Sequence, residues 1–155
     1  MLVGSDYTLV YNVLSFGTAV MFGAFVYFLT QMKAVSKQYQ AGIAVSAIVV
    51  GIAGYHYYRI WSDFGEGVMN EGYRYADWLI TVPLLIVELL IVLGVAQKDR
   101  TNLMLKLVPA SILMIGLGYP GEVADGNGAK WTFWILALIP FTYILKTLYD
   151  ELQKA

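Results

Sequence analysis

One apolar stretch, Tyr73-Arg74-Tyr75-Ala76-Asp77-Trp78-Leu79-Ile80-Thr81-Val82-Pro83-Leu84-Leu85-Ile86-Val87-Glu88, sets an arginine and two carboxylic acids among side chains that otherwise belong in hydrocarbon. Each such group costs about 2.5–3.5 kcal/mol at the centre of a membrane helix on the cheaper insertion scales, so ionisable residues there mark proton or ion paths. Steps of three, four and seven residues separate Arg74, Asp77, Thr81 and Glu88, which puts all four on one helical face. Asp77 and Glu88 are eleven residues apart, or roughly 16 Å along the axis, about half of the hydrocarbon thickness. Two carboxyl groups at different depths in dry surroundings can hold protons with different affinities, as a directed proton path needs. The plainer reading is structural, with Arg74 and Asp77 paired one turn apart. Glu88 counts against it, because no cation lies near it on its own helix.

The sequence has a single histidine, His56, in Gly54-Tyr55-His56-Tyr57-Tyr58-Arg59. Counted from the outer ends of their spans, His56 and Asp77 reach the same depth on neighbouring helices, so an Asp–His contact is geometrically open. A membrane histidine that simply bonds a neighbouring helix is the alternative.

The elements that must position these groups are membrane helices. Of 155 residues, 59% are hydrophobic and 14% charged, with a mean hydropathy of +0.63, against about 45–50% and 25% in soluble domains. Apolar stretches long enough to cross a bilayer fall at 7–31, 41–62, 73–96, 103–119 and 130–149. Short polar breaks separate them, at Met32 to Gln40, Asp63 to Gly72, Gln97 to Asn102 and Pro120 to Ala129. The segments do not alternate apolar and polar as barrel strands would. The expected fold is all-α, a single transmembrane helical bundle with sequential neighbours antiparallel.

Lys33, Lys37, Lys98, Arg100, Lys106, Lys146 and Lys154 gather at the odd breaks and the C-terminal end, which places the N-terminus outside and the C-terminus inside. The first span lacks a basic leader and a small-residue cleavage site, so it is expected to be a retained helix. A net charge of -1 and the absence of any basic run give no attraction to nucleic acid. Cysteine is absent, which excludes disulfides and thiolate metal sites, and no metal site is expected.

Arg74 through Leu85 resembles the third helix of microbial rhodopsins. Gly54-Tyr55-His56-Tyr57 resembles the second helix of their proteorhodopsin and xanthorhodopsin branch, Leu113-Met114-Ile115-Gly116-Leu117-Gly118-Tyr119-Pro120-Gly121-Glu122 its fourth, and Tyr143-Ile144-Leu145 fits its fifth. The resemblance covers essentially the whole chain and implies helices A–E of a seven-helix fold that carries all-trans retinal. It implies a light-driven outward proton pump, a transporter and not an enzyme, in the plasma membrane. Asp77 matches the counterion and primary proton acceptor, Glu88 the cytoplasmic proton donor, His56 the counterion's partner, and Arg74 and Thr81 the rest of the counterion complex. Trp78, Val82 and Leu85 match retinal-lining positions of the third helix. Met114, Gly118, Trp134, Ala137 and Phe141 match those of the fourth and fifth. Unaided by the resemblance, each of these would read as ordinary packing.

Two departures bear on function. The family holds retinal on a lysine in the middle of its seventh helix, whereas every lysine here lies in a break or near a membrane edge. The sequence ends at Glu151-Leu152-Gln153-Lys154-Ala155, where a sixth helix would follow. The expectation is therefore a fragment or one half of a split protein, whose partner is a two-helix C-terminal remainder bearing the lysine. A carotenoid antenna needs a small residue where Trp134 stands, so none is expected. By resemblance the protein is a homo-oligomer, a pentamer or hexamer. The alternatives are a sensory photoreceptor, whose relatives generally lack a carboxylic donor, and a chromophore-free structural fragment.

Overall fold

A computed structural model describes residues 5–154. Ala155, expected as the last residue before a further helix, lies outside the described residues. Five helices follow in order: α1 (Ser5–Gln31), α2 (Lys37–Gly65), α3 (Gly72–Val92), α4 (Gln97–Val123) and α5 (Asn127–Leu152). All five are long and apolar enough to cross a membrane. Helices suit these runs because each satisfies its own backbone hydrogen bonds where no water is available. Threonines add to this, the hydroxyls of Thr142 and Thr147 donating to the carbonyls of Leu138 and Tyr143 at 2.8 and 2.9 Å. The described residues divide into two compact units, the first ending at Asp77 and the second beginning at Trp78.

In the first unit α1 packs on α2 through small residues. A Cβ on Gly51 would stand 3.1 Å from the Phe25 ring, and one on Gly54 would stand 3.2 Å from Met21 Cβ. Close backbone approach of this kind is how membrane helices gain packing when lipid removes the hydrophobic drive. At one end the Tyr7 hydroxyl donates to the carbonyls of Phe64 and Gly65 at 3.4 and 3.3 Å. Its ring stacks on Phe64 at 5.0 Å.

In the second unit Ile86 and Leu90 of α3, Leu107 of α4 and Ile144 of α5 form a closed core, with Leu90 and Leu107 fully buried. Gly121 lets α4 and α5 approach, since a Cβ there would stand 3.0 Å from Phe133 Cβ.

The helices depart from the expected spans at their ends. Most run further than the apolar stretches, because a helix can continue into polar surroundings with its hydrogen bonds intact. Thus α4 starts at Gln97 and passes through Pro120 to Val123, leaving only residues 124–126 as the link to α5. Pro120, expected to open a break, removes one backbone donor without ending the helix.

The opposite departure occurs at α3, expected to run to residue 96 but ending at Val92. Gly94 takes φ +69°, with its N–H on the Ile91 carbonyl at 3.0 Å and the Val95 N–H on the Leu90 carbonyl at 3.3 Å. This is a Schellman cap, in which a left-handed residue turns the chain back to satisfy the last carbonyls. Val95 then packs on the core that holds Leu90.

A Cβ on Gly94 meets nothing within 4 Å, so a substitution there tests backbone conformation alone. Gly94→Ala is expected to cost about 1–2 kcal/mol, read as a lowered midpoint of unfolding in mixed detergent micelles. Gly116, equally open but inside α4, is the control. Gly116→Ala should be neutral or stabilising by up to about 1 kcal/mol.

Candidate functional site

Asp77 sits one turn into α3 and is buried, 6% exposed. Its side chain faces α2, where His56 Nδ1 lies 3.7 Å from Asp77 Oδ1. The same nitrogen lies 3.0 Å from the carbonyl oxygen of Ile52, one turn back on α2. A carbonyl oxygen only accepts, so Nδ1 carries the hydrogen and donates to Ile52, and Nε2 is the basic nitrogen of the neutral ring. At 3.7 Å the carboxylate is beyond hydrogen-bond range of Nδ1. What joins the two residues is charge. With the ring protonated, the attraction is of the order of 4 kcal/mol at an effective permittivity near 20, set against the cost of holding both groups out of water.

The structure thus brings His56 and Asp77 together at one depth. The ion pair of Arg74 runs to Glu71, a turn towards the start of α3. Arg59, on α2, donates from Nη2 to the Tyr73 hydroxyl at 2.5 Å. Its guanidinium carbon stands 5.1 Å from the Tyr73 ring centroid, and Asp63 Oδ1 is 4.0 Å from Nη2. Sequence reasoning missed the Arg59–Tyr73 contact. The signal was an arginine inside an apolar span, three residues past the only histidine.

The other candidates belong to the second unit. Thr81 is buried at 4% exposure, while Val82 and Glu88 are half-buried. Met114 packs at the edge of the α3–α4–α5 core, and Gly118 and Ala137 are half-buried. Trp78, Leu85, Trp134 and Phe141 keep 36% to 55% of their surface uncovered, in contrast to the closed core nearby. The Trp134 indole meets Trp131 edge-on, with ring centroids 5.4 Å apart. Among the described residues no cluster of three or more histidines and acids could hold a metal ion.

Five apolar helices, with a buried aspartate against a histidine at membrane depth and a glutamate further along the same helix, define a multi-pass membrane protein of the microbial rhodopsin fold. Residues 8–155 match the family described as bacteriorhodopsin-like protein, and the chain belongs to that family.

Among relatives, the green-light absorbing proteorhodopsin of Gamma-proteobacterium EBAC31A08 is 34% identical over 135 residues, 85% of this chain and 53% of that protein. Among solved structures, a thermophilic rhodopsin superposes with a TM-score of 0.93 at 43% identity, covering 99% of this chain and 66% of that one. Xanthorhodopsin, a light-driven ion pump with dual chromophore, superposes with a TM-score of 0.93 at 40% identity, covering 99% of this chain and 68% of that one. The chain spans about half the length of the curated relatives it matches.

Two groups this close act on each other through space. In the membrane-embedded protein, the infrared carboxyl band of Asp77 should lie at a different frequency in His56→Asn than in the parent. An unchanged band would show that the ring and the carboxyl group do not interact.

Proposed function

We propose that this chain supplies the counterion side of a light-driven outward proton pump whose chromophore is all-trans retinal. The observation that carries the reading is the buried Asp77 carboxyl group beside His56, on the helix that carries Glu88 eleven residues further on. The relatives' descriptions support it, as absorbers of green light and as a light-driven ion pump. The site fits the chromophore in two respects. Asp77 is a buried acid at membrane depth, and Trp78, Leu85, Trp134 and Phe141 offer large uncovered apolar faces suited to a polyene. Val82, Met114, Gly118 and Ala137 complete the lining set.

Retinal, when bound, supplies light absorption and a positive charge that light makes more acidic. Asp77 balances that charge and takes up a proton on a carboxyl oxygen, with Thr81 as the neighbouring hydroxyl. His56 holds the Asp77 charge through space and leaves its own Nδ1 hydrogen on Ile52. Arg74 stands outward of Asp77 and belongs to the same counterion complex. Glu88 gives a proton from the cytoplasmic side. A sensory receptor has no need of such a donor, so Glu88 favours the pump.

The lysine that carries retinal is assigned to a two-helix part following this chain, in keeping with the half-length match to its relatives. The same reading has the N-terminus outside, supported by the gathering of basic residues at the odd breaks, and the protein in the plasma membrane. Assembly as a pentamer or hexamer, without a carotenoid antenna because Trp134 fills the gap one would need, belongs to the same reading.

In the retinal-loaded protein Asp77→Asn should shift absorption to the red and abolish light-driven acidification outside cells. It deletes both the charge that stabilises the ground state and the proton acceptor. Unchanged colour with full transport would refute the assignment. Leu85 lies eight residues after Asp77 on nearly the same face. As an apolar residue beside the polyene it leaves the excited state's displaced charge undisturbed, so the parent should absorb green light. Leu85→Gln favours the localised ground-state charge and should shift absorption towards blue. A mutant of unaltered colour would place Leu85 away from the chromophore.

A further inference from the structure

Two polar contacts join the end of α2 to the start of α3, and they lie in register. His56 and Arg59 are three residues apart on α2, and Tyr73 and Asp77 four apart on α3. In an antiparallel pair these steps are roughly 4.5 and 6 Å along the axes. Arg59–Tyr73 and His56–Asp77 are therefore successive rungs of one ladder, the first nearer the link between the helices.

The rungs differ in kind. The Arg59–Tyr73 rung is a charge-assisted hydrogen bond of 2.5 Å, reinforced by the guanidinium lying 5.1 Å from the ring centroid. Such bonds fix geometry tightly. The His56–Asp77 rung, at 3.7 Å, has no hydrogen bond to set its length. Arg59 Nε is buried with no hydrogen-bond partner among the described residues, so this nitrogen forgoes a bond to keep the guanidinium on Tyr73, which calls for an explanation. Tyr73 stands in the first turn of α3, where a helix otherwise frays, and Asp77 follows one turn later.

We infer that Arg59 and Tyr73 are positioning residues, whose contact sets the distance from which His56 acts on Asp77. The inference rests on the reading of Asp77 as the working carboxyl group, but its test needs neither chromophore nor transport.

His56 is the only histidine of the sequence, so a ring-15N label gives one pair of imidazole signals from the whole membrane-embedded chain. Asp77→Asn should displace those signals in the parent. In a Tyr73→Phe background the displacement should shrink by about half or more, the measure of coupling in a double-mutant cycle. Arg59→Met should act like Tyr73→Phe, and serves in its place if the phenylalanine protein does not fold. Arg59→Lys keeps a cationic donor for the phenol and should retain most of the displacement. An Asp77→Asn displacement as large in the Tyr73→Phe or Arg59→Met background as in the parent overturns the inference. Were Asp77 not the proton acceptor, this cycle would be unaffected and the failure would show only in colour and transport.

Discussion

A carboxyl group taken out of water must find its charge held by neighbours or surrender it to a proton, and this constraint bears hardest on Asp77. Only 6% of the residue is exposed, and the imidazole of His56 reaches it from α2. The position of α2 is thus part of the chemistry. That position is built from small residues. Gly51 and Gly54 let α1 come close enough for Phe25 and Met21 to fill the space a side chain would occupy. Seen this way, the packing of α1 on α2 and the Tyr7 bonds to the last carbonyls of α2 hold the histidine that answers the aspartate.

The helix bearing the two acids is not uniform. Pro83 lies six residues after Asp77 and five before Glu88. Lacking an N–H, it cannot form the helix bond to the Leu79 carbonyl, and its ring crowds that turn. Bends in long helices have such identifiable causes. The stretch from Asp77 to Glu88 therefore carries its weakest turn near the middle, with buried Thr81 just before it.

The five helices were legible because apolar length is a strong signal in a bilayer, and the shared depth of His56 and Asp77 followed from counting residues inward. The helix ends were not legible from hydropathy. The stop at Val92 is set by Gly94 in a left-handed conformation, and the run past Pro120 by a helix that tolerates a missing donor. Both are backbone effects that apolarity does not report. The role of Arg59 was not legible, because its partner is a tyrosine, which carries no charge to be matched with it. The pairing of Arg74 with Glu71 was likewise hidden, since Asp77 stands at the same three-residue spacing on the other side. Spacing offers an arginine both neighbours, and only the side chain's direction chooses between them.

The distribution of polar groups along α3 differs between its two halves. Around the first half stand Glu71, Arg74, Tyr73 with Arg59, and then Asp77 with His56, a run of charges and hydrogen-bonding groups. Glu88 is set between Val87 and Leu89 on a helix whose next buried positions, Ile86, Leu90 and Ile91, are purely apolar. An acid thus occurs twice on α3, once among the polar groups of its first half and once on a stretch whose buried positions are apolar. A proton path gains direction from such inequality between its stations, because two carboxyl groups in matching surroundings would pass a proton either way with equal ease.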